Sequence, residues 1–186
     1  MNGVVSFAGL GSVPWLNGGG STREIAAGTA GDPRAGGSHA GWDWRLSVAE
    51  VRAPGPFSHF PGTTRILTVI EGGPLGLVVD GVGHSPGRFR PFIFDGGAKT
   101  EASLLAGPVR NLNLIFMTGT MNGSVRVETL SGPEMELQTG QMAVLFEGHA
   151  AVEGHQLALL DTVLAAPSPR TVHGKGRLAV ITLGTV

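Results

Sequence analysis

WDWRLSVAEV, residues 42–51, alternates without a break. Trp42, Trp44, Leu46 and Val48 fall on one side of an extended chain, and Asp43, Arg45, Ser47 and Ala49 on the other. Side chains of a strand point to opposite faces every second residue, so the stretch predicts a strand with one apolar face and one bordering something polar. The same pattern recurs outward from it. Arg65–Ile70 (RILTVI) is the strongest strand candidate; Glu71-Gly72-Gly73-Pro74 turns it, and LGLVVDG (75–81) supplies the returning partner. VRNLNLIFM (109–117) sets Leu112, Leu114 and Phe116 against Asn111, Asn113 and Ile115. Further short strands are expected near Val4–Phe7, from Pro91 to Phe94, and in SVRVETL (124–130), MELQ (135–138), QMAVLFEG (141–148), HQLALLDTV (155–163) and RLAVITL (177–183).

Glycine is unusually frequent, at 31 of 186 residues without a collagen period, and implies many turns and close backbone approaches. No helical periodicity of ordinary length separates the strands, which excludes a wound α/β fold and points to an all-β sandwich or barrel. Ala27–Gly41 reads as a polar glycine-rich loop, and 52–64 as a turn region rich in proline. A weak internal echo links PGRFRPFIFDGG (86–97) to TGQMAVLFEGH (139–149) and fits two related β modules.

Charge and composition narrow the function classes. Only 15% of residues are charged and the net charge is -1, so nothing draws the chain to nucleic acid or an acidic membrane surface. The N-terminal MNGVVSFAGLGSVPW lacks a basic segment followed by a long apolar one, and no apolar run reaches membrane-spanning length. A cytoplasmic protein is expected. The absence of cysteine removes thiolate chemistry, and the absence of tyrosine removes another acid or base.

VPWLNGGGSTREIA (13–26) raises the question of a phosphate loop, but it has neither GxGxxG nor the lysine of a Walker loop. It reads equally well as an entry into a strand, with Thr22, Glu24 and Ala26 on one side and Arg23 and Ile25 on the other. The histidines at 39, 59, 84, 149, 155 and 173 form no His-x-His or HExxH pair; Glu147 and His149 sharing strand parity is the only metal-like hint, and no metal or other cofactor is expected. No GxSxG or Ser/His/acid set is readable. Glu24, Glu71, Asp95 and Glu147 could converge as glycosidase-like carboxylates, although no spacing requires it.

Arg45 and Arg65 are more informative because each sits inside an otherwise apolar strand pattern, where a charge is costly unless paired or solvated. Each could pair with an acid at a sheet edge. Alternatively they serve a concave site, where the guanidinium fork suits a carboxylate and the Asn113 amide adds donor and acceptor capacity.

Four blocks in order, WLNGGGSTREIA (15–26), DWRLSVAEV (43–51), GPFSHFPGTTRILTVIEGG (55–73) and GPVRNLNLIF (107–116), resemble the motifs of the HutD/Ves family of cupin-like proteins. The resemblance spans nearly the whole chain. It implies a bicupin, two β-barrel or jelly-roll modules packed in one chain, divided here at 1–118 and 119–186 with strand exchange between them allowed. It implies a ligand pocket in the first module bordered by Trp15, Asn17, Thr22, Glu24 and Trp44, and further by Arg45, Ser47, Phe60, Arg65 and Asn113. Arg45 or Arg65 would clamp an anionic group, Asn17 and Asn113 orient it, and Trp15 and Phe60 supply an apolar wall. The family's association with histidine utilisation implies an accessory or regulatory protein that senses a small polar or anionic metabolite, such as a formylated or imidazole-bearing carboxylic acid, and homodimerisation is expected. Two rival classes remain: a metal-independent isomerase, hydrolase or lyase with Glu24 as base, and a protein-interaction module. Three features depart from the family pattern: Leu16 where lysine is common, Asn111 where aspartate is frequent, and a segment after Asn113, Leu114 to Gly119, without the arginine often found there.

Overall fold

The computed structural model describes residues 3–29, 41–132 and 134–186. Most of the loop expected at Ala27–Gly41, with His39, lies outside the described residues. In chain order the strands are β1 (Val4–Val5), β2 (Val13–Pro14), β3 (Gly20–Gly28), β4 (Trp44–Val51), β5 (Gly55–Pro56), β6 (Thr63–Glu71), β7 (Leu75–Val79), β8 (Val82–His84) and β9 (Phe92–Asp95). They continue with β10 (Thr100–Leu104), β11 (Val109–Met117), β12 (Met121–Leu130), β13 (Met135–Leu137), β14 (Met142–Val152), β15 (His155–Leu157), β16 (Thr162–Leu164) and β17 (Arg170–Thr185). A 3-10 turn at Phe7–Gly9 is the one helical element among the described residues.

The chain divides into two compact units. One holds Gly11–Asn122 with Thr185 and Val186, and is built of two sheets. A six-stranded antiparallel sheet runs β2-β3-β4-β11-β6-β9, and a four-stranded one runs β5-β10-β7-β8. The two pack through apolar side chains: Val51, Leu67, Val69, Phe94 and Val109 from the larger sheet meet Leu75, Leu77 and Ala102 from the smaller, with Phe57 between strands. That burial, at roughly 1.5–3 kcal/mol for each fully enclosed large side chain, holds the layers together.

The second unit holds the described residues up to Leu10 together with Gly123–Gly184. Its sheet runs β1-β16-β14-β17-β12, with β13 on β17 and β15 on β14, around Leu130, Leu137, Leu145, Val163, Val172 and Leu178. β14 bulges against β17 between Leu145 and Glu147; just beyond, at Gly148, φ is +91° and an added Cβ would lie 2.1 Å from the Lys175 carbonyl oxygen, so only glycine fits.

The all-β expectation holds, but the two closed modules do not form. All three sheets are open: their end strands (β2 and β9, β5 and β8, β1 and β12) do not pair with one another. Closure requires the first and last strands to share a continuous ladder. Several edges instead carry or adjoin proline, which has no N–H to donate: Pro14 in β2, Pro56 in β5 and Pro91 just before β9.

Two pairings also differ from expectation. RILTVI and LGLVVDG are not hairpin partners. β6 pairs with β11 and β9, while β7 crosses at Gly72 to the smaller sheet and pairs with β10 and β8. HQLALLDTV is two strands, β15 and β16, because Asp161 folds the chain between them by accepting hydrogen bonds from the Ala158 and Phe7 amides. The echoed segments also take different places, β9 at a sheet edge and β14 inside a sheet.

A buried arginine without a counter-charge on the six-stranded sheet

The glycine loop is a hairpin turn. Trp15 N–H donates to the Gly20 carbonyl at 2.9 Å, Gly18 N–H to the Trp15 carbonyl at 3.0 Å, and Gly19 N–H to Asn17 Oδ1 at 3.0 Å. Those amides are turned into the hairpin, and the chain continues as β3 with no helix behind it, so the loop does not present the fan of N–H groups that holds a phosphate. Gly20 is required by contact: an added Cβ would sit 2.2 Å from the Glu50 carbonyl oxygen and 3.0 Å from the Trp15 ring. Trp15 lies over this glycine and donates its indole N–H to Thr22 Oγ1 at 2.8 Å. Asn17 is exposed, and its side-chain oxygen is occupied by the turn.

Register brings most of the candidate residues to one face of the six-stranded sheet. Glu24, Ser47, Asn113, Leu67 and Phe92 form one cross-strand row, and Ala27, Arg45, Ile115, Arg65 and Phe94 the next. Thr22, Ala49, Asn111 and Val69 form the row on the other side. The rows align because Ile25 is an extra residue in β3, so Ala26 drops to the opposite face from Thr22 and Glu24 and Ala27 joins their side.

Trp44, one residue from Arg45, belongs to the other face; it pairs with Phe116 and is only 2% exposed. Phe60 sits in the loop before β6 with its ring 6.1 Å from that of Trp42, and its carbonyl accepts from Thr63 Oγ1. The rings that meet the candidate arginine are Phe57 and Phe94, which the sequence pattern did not single out. Trp15 joins them edge-on, with its ring centroid 6.1 Å from that of Phe57.

The two arginines are held differently. Arg45 Nε donates to Glu24 Oε2 at 2.7 Å, so its charge is matched. Arg65 is 7% exposed and has no carboxylate at ion-pair distance among the described residues. Its Nε and Nη2 both donate to Asn113 Oδ1, at 2.9 and 2.7 Å, and its guanidinium carbon lies 4.7 Å from the centre of the Phe57 ring and 5.5 Å from that of Phe94. Burial, reinforced by the neighbouring Arg45 charge, pushes its pKa down to about 10. Asn113 Nδ2 in turn donates to Asn111 Oδ1, and the fully buried Asn111 Nδ2 has no partner among the described residues.

This arrangement has a clear chemical capacity. Asn113 occupies the Nε side of the Arg65 fork, leaving the Nη1/Nη2 end without an acceptor among the described residues. That end offers two parallel N–H donors, the geometry that fits a carboxylate, between aromatic walls that strengthen the interaction by excluding water.

Other candidate chemistry is dispersed. Glu71 pairs with Arg110 at 2.8 Å, Glu147 with Arg177 at 2.9 Å, and Asp95 Oδ1 accepts the Gly97 amide at 2.7 Å, so the four carboxylates considered are each held by a different partner. Among the described residues, no three histidine, aspartate or glutamate side chains gather where they could hold a metal ion. No helix there is long and apolar enough to cross a membrane.

Comparison with known proteins fits this organisation. Over 142 residues the chain is 34% identical to an uncharacterized 21.2 kDa protein encoded in the hutC 3' region of Pseudomonas putida, covering 76% of this chain and 70% of that protein. It is 36% identical to protein Ves of Citrobacter koseri over 61% of this chain, although the match spans only 56% of the Ves sequence. Among solved structures, HutD from Pseudomonas fluorescens SBW25, determined in a formate condition, superposes with a TM-score of 0.81 at 29% identity over 98% of both chains. A conserved protein of unknown function from Pseudomonas aeruginosa PAO1 superposes with a TM-score of 0.80 at 26% identity over 97% of both chains. The HutD family model matches residues 8–180, and the chain belongs to the HutD family.

Proposed function

We propose that this HutD-family chain binds a small carboxylate metabolite at Arg65 and acts as an accessory or regulatory protein in the cytoplasm. The observation that carries the reading is a guanidinium with 7% exposure that has, among the described residues, no acid beside it and no acceptor for two of its N–H donors. A buried cation in that state raises the free energy of the fold unless something anionic joins it. Arg45 does not compete for the ligand, because Glu24 neutralises it. Glu24, the base in an enzymatic reading, is engaged by that same ion pair, which favours binding over turnover. The location of the Pseudomonas putida relative's gene beside hutC supports a carboxylate of histidine degradation as the ligand.

The test is a calorimetric and thermal-shift comparison of small carboxylates with their uncharged amide counterparts, using the wild-type chain and Arg65→Ala. Saturable binding of an acid but not its amide, lost in Arg65→Ala, is the expected outcome. Equal response to acid and amide, or acid binding that survives in Arg65→Ala, refutes the proposal.

A further inference from the structure

We infer that Asn111 is the second recognition point of this site and selects monocarboxylates that also carry a neutral hydrogen-bond acceptor; the inference rests on Arg65 being the carboxylate anchor. It follows from which atoms can face one another. A guanidinium has donors only, so the Asn113 atom that receives Nε and Nη2 of Arg65 must be its carbonyl oxygen. The Asn113 amide nitrogen is then turned toward Asn111, which can meet a donor only with its own oxygen. Asn111 Nδ2 is left over, with its orientation dictated by a charge two residues further along the sheet.

That nitrogen is sealed from solvent and unpartnered. Its cross-strand neighbours are Ala49 and Val69, and Val109 precedes it on the same face, so its immediate neighbours on the sheet are apolar. Buried amide donors are almost always paired, and a bare one marks a place where an acceptor is expected.

The charge count decides which acceptor fits. A carboxylate on Arg65 balances that cation, and Glu24 already balances Arg45. A second carboxylate at Asn111 would be a buried anion with no cation to meet it, whereas a ketone, amide or imine-type nitrogen adds no charge. Asn113 stands between the two points, taking Arg65 with its oxygen and Asn111 with its nitrogen, so the acceptor belongs a few bonds beyond the carboxylate.

Three five-carbon acids test this by calorimetric titration of the full chain: pentanoate, 4-oxopentanoate and glutarate. The 4-oxo acid is expected to bind about tenfold more tightly than pentanoate, the equivalent of one buried hydrogen bond, and more tightly than glutarate. In Asn111→Leu the ratio of 4-oxopentanoate to pentanoate affinity collapses to about one. Should that variant fail to fold, the wild-type side-chain amide resonances decide: the Asn111 pair shifts with 4-oxopentanoate and not with pentanoate. Equal wild-type affinities for pentanoate and 4-oxopentanoate, with both lost in Arg65→Ala, overturn the role of Asn111 and leave the Arg65 anchor standing. Tightest binding of glutarate overturns the neutral-acceptor assignment. Binding of none of the three, or binding unaffected in Arg65→Ala, overturns the anchor and this inference together.

Discussion

Replacing Arg65 with methionine removes the charge but keeps an unbranched side chain between Phe57 and Phe94, so it separates what the arginine does for the fold from what it does for a ligand. Displacement of its pKa from the ordinary arginine value down to about 10 corresponds to roughly 3 kcal/mol against the charged form in the folded protein. Arg65→Met abolishes that burden. It also forfeits the charged hydrogen bonds to Asn113, about 1.5–3 kcal/mol, and the contacts of the cation with the two rings, about 1–2 kcal/mol together. These opposing contributions nearly cancel.

The variant is therefore expected within about 2 kcal/mol of wild type in urea unfolding, or about 4–8 °C in Tm for a chain of this size, with carboxylate binding gone. The sign has a second consequence at high pH. A depressed arginine pKa means that the folded chain loses this proton before the unfolded chain does, so the burden is present at neutral pH and eases as pH rises through about 10 toward the ordinary arginine value. Wild type should gain stability relative to Arg65→Met across that window. A loss above about 4 kcal/mol would match removal of one partner from a structural buried pair. That loss, or retained carboxylate binding, would refute the reasoning.

Two further outcomes follow from local geometry. Gly20→Ala drives a Cβ to 2.2 Å from the Glu50 carbonyl oxygen and against Trp15, and should destabilise by at least about 2 kcal/mol, whereas Gly18→Ala meets no atom and is strained only by its φ of +69°; equal, small losses in thermal unfolding would contradict the close-packing argument. The hydrogen bond from Arg110, then that from Arg52, holds the Glu50 carboxyl below 4.5, so its stabilising contribution is full above that pH and is lost as pH falls through the lowered value. Because the groups are partly exposed, Glu50→Gln should cost no more than about 1 kcal/mol at pH 7, shrinking toward nothing in acid; a difference that grows in acid would reverse the assignment.

The alternation of Trp42–Val51 and of Val109–Met117 was enough to group Arg45 with Ser47, and Asn111 with Asn113, on one side of their own strands, because side-chain parity is a local property of an extended chain; that the two sides coincide follows from the pairing of β4 with β11. Sheet closure and strand partnership were not legible. They depend on which edges find each other after the chain has turned, and Gly72-Gly73-Pro74 reads the same whether β7 returns beside β6 or crosses to another sheet. Phe57 and Phe94 were missed as the walls of Arg65 for a related reason. One lies in a proline-rich turn and the other on an edge strand, and only the register of β6 with β9 brings Phe94 opposite the arginine. The missing counter-charge on Arg65 is likewise invisible in a sequence with acids nearby at Glu50, Glu71 and Asp95, each of which is held elsewhere.

Ile25 acts as a phase shift in β3. Before it, even-numbered residues look toward the arginines; after it, odd-numbered ones do. A saturation-mutagenesis map of residues 21–28 would therefore show two interleaved tolerance patterns with a seam at 25, rather than one regular comb. Because Glu24 already pairs with Ser47 and Ala26 with Leu46, deleting that single residue would close the ladder into regular alternation, with Glu24 still facing Arg45. The charge balance of the site is thus insulated from this irregularity in backbone counting, which changes only the spacing of the residues that follow it.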